Sequence, residues 1–227
     1  MKKLNKIFLL FIALLILTTY LPKDFNYFPK KNIFFFKIKN IEIIDNKIIK
    51  HDKISKKLTN LYGKNIFFVT KNDLKNSLKK IDFLENVEVK KKYPNTIIVK
   101  IFETKPIGFI FKNNKKYIID SSSNLILEKD YNFSKYLPTV FGKKAEESFI
   151  EFFEQLKINK FDYKSIKNYY YFQIGRWDLQ LANNQIIKFP HDKLEEAIQK
   201  FVILINKKDF QSYNIIDLRT QGKIVVE

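Results

Sequence analysis

The sequence predicts an α+β chain: an apolar N-terminal helix, a β-α-α-β-β unit, then a mainly antiparallel β region with two helices. Three observations predict it. Residues 7–21, IFLLFIALLILTTYL, carry no charge. Residues 34–103 show strand and helix periodicities in the order β, α, α, β, β. Beyond residue 107, short strands separated by Asn-, Ser- and Gly-containing turns are interrupted by two helical stretches. With 45% hydrophobic residues and 23 Phe, the chain has enough apolar material for a core, which excludes global disorder.

The N-terminal stretch is predicted to anchor the chain in a membrane. Eleven of residues 7–21 are Ile, Leu or Phe. Each favours the bilayer centre by about 0.3–0.6 kcal/mol, so insertion is favourable by roughly 3–7 kcal/mol. As a helix these residues span roughly 22 Å against a hydrocarbon core of about 30 Å. Lys6 can snorkel to lengthen the span, and Tyr20, Phe25, Tyr27 and Phe28 suit the far interface. Residues 18–24, TTYLPKD, offer no small-x-small cleavage pattern, which favours an uncleaved signal anchor over a removed signal peptide. Lys2, Lys3 and Lys6 place the N-terminus in the cytoplasm and export the body. The expected division is a tail over 1–6, a single transmembrane span over 7–22, a linker over 23–33, and domains over 34–106 and 107–227.

The first domain opens with a strand over 34–44. Phe36, Ile38, Ile41 and Ile43 are its apolar positions, and the alternation slips at Asn40, which predicts a bulge. Ile54, Leu58 and Leu61 make one helical face, and Gly63 ends that helix. Residues 65–69 form a short extended link. Thr70 and Asp73 form a capping box ahead of a second face, Leu74, Leu78 and Ile81. A hairpin follows. Val87 and Val89 alternate with charged residues, Pro94 and Asn95 make the turn, and Ile97, Val99 and Ile101 return. Ile98 and Phe102 leave that strand apolar on both faces, and Lys105-Pro106 reads as a hinge.

In the second domain, strands over 107–111, 117–120 and 125–128 are joined by turns at Asn113-Asn114 and 121–124. A helix over 144–156 has Glu146 and Glu147 in its favourable first turn and Phe149, Phe153 and Leu156 inward. Strands over 169–174, 177–181 and 186–189 follow, the last two joined by Asn183-Asn184. Asp192 with Glu195 suggests a capping box for a helix whose face is Leu194, Ile198, Phe201 and Ile205. Two last strands, 213–219 and 223–227, flank a Thr220-Gln221-Gly222 turn.

These residues carry a resemblance. F36-K-I-K-N-I-E-I, G63-K-N-I-F-F, V87-E-V-K-K-K-Y-P-N-T-I-I-V-K-I-F-E and K105-P resemble a POTRA domain. Y117-I-I-D-S, L137-P-T-V-F-G, R176-W-D-L-Q-L-A-N-N, D192-K-L-E-E-A-I and I216-D-L-R-T-Q-G-K-I-V-V are similar to the second domain of the FtsQ/DivIB cell-division family. The resemblance covers nearly the whole chain. It implies a non-enzymatic divisome scaffold in the inner membrane at the septum, with its body in the periplasm. It implies that the POTRA domain contacts other divisome proteins and that the C-terminal strand receives a strand from FtsB, paired with FtsL.

The remaining composition excludes other function classes. The net charge of +18 invites a nucleic-acid reading, but Arg occurs only at Arg176 and Arg219 among 42 basic residues. Phosphate readers draw on the planar guanidinium fork, and the lysines here spread along the whole length, as codon drift produces. No recognition helix, zinc finger or RNA-binding sheet motif is present, so no specific nucleic-acid partner is expected. There is no cysteine, hence no disulfide or thiolate site. His51 and His191 have no paired metal-ligand spacing, Ser121-Ser122-Ser123 lacks nucleophile-elbow glycines, and the five glycines are scattered. Asp120 and Asp217 read as turn caps. No catalytic residue, metal, cofactor or small-molecule substrate is expected.

Binding is the expected activity, and the C-terminus its expected seat. Residues 223–227, KIVVE, form a short apolar strand. At a sheet edge it would be a template for another strand; in a sheet centre it would only complete the fold. The residues leave both open, and the resemblance favours the edge. The expected partner-binding residues are Arg219, Thr220, Gly222, Lys223, Ile224 and Val226, with Arg176. The two arginines stand out from a lysine background. Arg219 is expected to pair with a partner carboxylate, with Arg176 a second candidate; the alternative is an internal salt bridge. A different class remains as the alternative: an exported POTRA-type chaperone or secretion accessory protein with a cleaved signal.

Overall fold

In the computed structural model, the structure describes residues 2–19, 36–131, 133, 137–205, 210, 212–220 and 222–227. The expected linker over 23–33 lies outside them, as do Phe34 and Phe35. Helix α1 covers Lys2–Thr19, 18 residues or about 27 Å. Among the described residues no helix is long and apolar enough to cross a membrane. The expected transmembrane helix over 7–22 is not matched by α1. Three lysines occupy its first turns, and the uncharged helical stretch from Ile7 to Thr19 rises only about 20 Å. Residues 20–22 fall outside the described set. The side chains from Lys6 to Leu17 are all exposed.

The first unit is the expected β-α-α-β-β. Strand β1 (Asn40–Ile44) lies parallel to β3 (Thr96–Glu103), and β2 (Leu84–Lys92) lies antiparallel to it, so the apolar-on-both-faces β3 is central. The slip at Asn40 is a change of partner rather than a bulge. Before it, the Ile38 N–H bonds to the Lys64 carbonyl and the Ile66 N–H to the Phe36 carbonyl; from Asn40 on, the strand pairs with β3. Helices α2 (His51–Leu58) and α3 (Lys71–Leu78) cover one face with Ile54, Leu58, Leu74 and Leu78 fully buried. The Thr70–Asp73 capping box forms. Residues 66–68 turn rather than extend, because the Asn65 side chain accepts the Phe67 N–H at 2.9 Å. The hairpin turns through a cis Tyr93–Pro94 bond.

Glu103, at the end of β3, has a role that periodicity could not show. Its carboxylate accepts the backbone N–H groups of Lys47, Ile48 and Ile49 at 2.8–3.1 Å, pinning the loop that feeds α2.

Among the described residues, the second unit is one nine-stranded mixed sheet. Its strands are β4 (Pro106–Lys112), β5 (Lys115–Asp120), β6 (Leu125–Leu127), β7 (Thr139–Phe141), β8 (Ile166–Phe172), β9 (Arg176–Leu181), β10 (Ile186–Lys188), β11 (Ile215–Asp217) and β12 (Val225–Val226). The order is β12-β11-β10-β9-β8-β7-β4-β5-β6. Most pairings are antiparallel as expected, but β10 with β11, β4 with β7 and β7 with β8 run parallel, joined by crossovers. Helices α4 (Ala145–Ile158) and α5 (Leu194–Ile205) pack on the sheet. Phe149, Phe153 and Leu156 face inward as expected, and Phe152 joins them, stacked parallel on Trp177 at 4.9 Å. The Asn113-Asn114 turn has both residues at positive φ, 51° and 58°.

Two expectations fail here. Asp192 does not cap α5: its side chain is 93% exposed, and the helix starts at Leu194 after Lys193 at φ 55°. Lys105-Pro106 is not an open hinge. Thr104 donates its hydroxyl to the buried Asp120 at 2.7 Å, and Ser121 N–H bonds to the Lys105 carbonyl. Phe109, Ile118 and Ile126 of the second unit complete the core of the first. Asp120 also accepts from the Ser122 and Asn124 backbone, so the expected turn cap doubles as the clamp between units.

Candidate functional site

The far end of the sheet carries the site. Among the described residues, strand β12 pairs with β11 on one side and with nothing on the other, so it is an edge strand. Glu227 donates to and accepts from Ile215, at 3.1 Å each way. Antiparallel residues alternate in direction, so the Val226 N–H and C=O point away from β11, towards solvent. Val226 packs its side chain, half-buried, on the core, while Ile224 and Val225 are exposed.

Next to the edge lies a cleft of about 560 Å³. Arg176, Arg219, Thr220, Gly222, Lys223 and Ile224 all line it, as do residues 190–193 and α5 through Glu196 and Lys200. Six of the seven expected partner-binding residues are thus brought together, though Arg176 is distant in sequence. Val226 stands apart on the strand itself. Gly222 sits at φ +76°, and a Cβ added there would meet no atom within 4 Å, so its backbone conformation, not space, requires glycine.

The arginines are held from within. Arg219 Nε donates to both oxygens of Asp217 at 2.8 and 2.9 Å, its Nη2 makes a further short contact, and its backbone N–H bonds to Asp217 at 3.0 Å. That hydrogen bonding, opposed by partial burial, holds Asp217 below the usual carboxylate range and raises Arg219. Arg219 thus closes an internal salt bridge, with its Nε and Nη2 both engaged by Asp217. Arg176 lies over the Phe172 ring at 4.3 Å, with Nε 3.5 Å from Asp178 Oδ1 and neither atom hydrogen-bonded among the described residues. Burial pushes Asp178 up, against the pull of Arg176, Arg219 and Lys188.

Register explains this arrangement. Asp178 on β9 stands beside Lys188 on β10, which stands beside Asp217 on β11. A row of alternating charges crosses three strands and sets both arginines. Sequence reasoning missed Asp178 and Lys188 because only pairing register brings them together. A cleft lined by Arg176, Lys193, Lys200, Arg219 and Lys223 against Asp192 and Glu196 is net basic.

His191 is 64% exposed, with Nδ1 3.0 Å from the Gly175 carbonyl, and His51 is also exposed. Among the described residues, no three His, Cys, Asp or Glu side chains cluster to hold a metal. Ser121 and Ser122 belong to the turn that Asp120 caps.

A β-α-α-β-β unit fused to a mixed sheet whose last strand is an open edge defines a two-unit, POTRA-bearing protein. The family model described as POTRA domain, FtsQ-type, matches residues 36–104, and that described as cell division protein FtsQ/DivIB, C-terminal, matches residues 109–219. Cell division protein FtsQ of Rickettsia conorii is 30% identical over 197 residues, covering 85% of this chain and 72% of that protein. Cell division protein DivIB of Clostridium tetani is 29% identical over 193 residues, covering 78% and 73%. The chain belongs to the FtsQ/DivIB family, and its role is in cell division. The solved major extracytoplasmic domain of DivIB from Geobacillus stearothermophilus overlaps 48% of this chain and 96% of its own at 11% identity and a TM-score of 0.34, too distant to inform the site.

Proposed function

We propose that this protein is a non-catalytic scaffold of the division machinery that captures a partner strand on β12. The observation that carries the reading is the outward-facing Val226 backbone on an unpaired edge, beside a cleft that gathers six of the residues expected to bind. The partner is FtsB-like, associated with FtsL, and adds its strand by β-augmentation. The basic cleft favours acidic residues flanking that strand. Arg219 contributes by shaping the turn after β11 rather than by offering a free guanidinium. The POTRA unit, residues 34–106, contacts other divisome proteins, and the unit over 107–227 carries the strand-capturing edge.

Attachment to the inner membrane runs through the exposed apolar side chains of α1, continued in sequence by the uncharged residues 20–22. The lysine-rich N-terminus stays cytoplasmic and the body lies in the periplasm, linking divisome assembly to septal wall synthesis. A fluorescent fusion scores this: septal localisation, with filamentation on depletion, is the expected outcome. A diffuse fusion with normal septation on depletion removes the reading. The second class, an exported chaperone with a cleaved signal, predicts a mature chain that no longer starts at Met1.

A further inference from the structure

The first unit carries an exposed aromatic cluster far from β12. Phe36 and Phe67 have ring centroids 4.8 Å apart, and Phe67 stacks on Tyr93 at 5.1 Å. Phe68 follows in the same turn and is 80% exposed, while Tyr93 is 53% and Phe67 50% exposed. Rings packed on each other yet open to water form a contiguous apolar patch, which a soluble surface rarely leaves without a use. Lysines rim it. Lys91 Nζ bonds to the Phe67 carbonyl at 2.9 Å, Lys64 precedes the turn, Lys92 adjoins Tyr93, and Lys71 lines the same groove as Phe67. Lys92 pairs with Glu42 at 3.7 Å, and Glu88 lines the groove among Lys71, Lys90, Lys91 and Lys100, which leaves it net basic.

We propose that this patch is a docking surface for an anionic lipid bilayer. The chemistry is that of the membrane interface, where amphipathic and aromatic rings settle at headgroup depth and lysines meet anionic headgroups. Chain continuity makes the same point. Phe36 belongs to the patch, and 16 residues, 20–35, separate it from Thr19 at the end of α1. At full extension they reach about 55 Å, so a chain attached through α1 holds the patch within one tether length of the bilayer and raises its local concentration there. The consequence is orientation: the first unit lies against the membrane with its Phe67–Phe68 turn down, while the β12 edge sits on the other unit. The proposal rests on membrane attachment through α1.

The absence of cysteine allows a single reporter. The full chain with Phe68→Cys carries an environment-sensitive fluorophore and is reconstituted with phosphatidylcholine vesicles containing about a third phosphatidylglycerol; Lys115→Cys at the exposed start of β5 is the reference. The expected result is a blue shift and quenching by headgroup-proximal brominated lipid at position 68 but not at 115, weakening in pure phosphatidylcholine and at high salt. A chain that floats with the vesicles while position 68 stays as hydrated as 115 overturns the proposal alone. A chain that does not float at all overturns both the proposal and the attachment through α1.

Discussion

Replacing Val226 by proline tests strand capture at one backbone atom. The substitution removes the outward N–H and leaves the Glu227–Ile215 bonds, which tie β12 to β11, in place. Proline is tolerated on edge strands when the lost N–H faces solvent. In the complex, the partner carbonyl that loses this donor is left buried and unpaired, which costs about 1–3 kcal/mol. That loss weakens binding by roughly 5- to 150-fold. Titration calorimetry of the full chain against the FtsB-like partner reads this directly. Val226→Ala keeps the N–H and is the control, expected to lose far less. Affinity of Val226→Pro within twofold of wild type, with an unchanged melting temperature, would refute backbone-mediated capture.

Other perturbations test the supports of the site. Glu103→Gln replaces a carboxylate that accepts three backbone N–H groups with a single carbonyl oxygen, and denaturant unfolding should show a loss of about 1.5–3 kcal/mol. Asp120→Ala removes the acceptor of the buried Thr104 hydroxyl between the units and should cost about 2–3 kcal/mol by the same assay. Tyr169→Phe should leave stability unchanged or raise it by about 1 kcal/mol, because its fully buried hydroxyl has no hydrogen-bond partner among the described residues and burial already pushes its ionisation far up. Asp217 is held below its ordinary value by Arg219, so its contribution is complete above the unfolded carboxylate value of about 3.9 and is lost as pH falls through the lower folded value. Asp217→Asn should therefore flatten the stability–pH curve below about pH 4, by no more than about 1 kcal/mol, because the Arg219 side chain is 37% exposed and water screens the pair.

How far the sequence could be read follows from which interactions are local. The Thr70–Asp73 box, the faces of α2 and α3 and the Asn113-Asn114 turn were legible because their partners lie within a few residues. The Asp192–Glu195 pattern does not become a cap because Lys193 adopts a positive φ and α5 starts only at Leu194. The hinge at Lys105-Pro106 was misread because its closure comes from Asp120 and Phe109, residues whose positions depend on the fold of the second unit. The choice between edge and centre for residues 223–227 could not be made from their own composition; only strand order decides it, and it places β12 outermost. The arginines stand out from the lysine background, but the carboxylates they meet follow from the cross-strand row Asp178–Lys188–Asp217, which only pairing register reveals.

Amide hydrogen exchange at Val226 tests the central claim most directly. The amide points away from β11 on an unpaired edge, so it should exchange fast in the free protein and become strongly protected when the partner binds. Protection elsewhere on the chain, with the Val226 amide still exchanging at its free rate in a saturated complex, would contradict strand capture on β12.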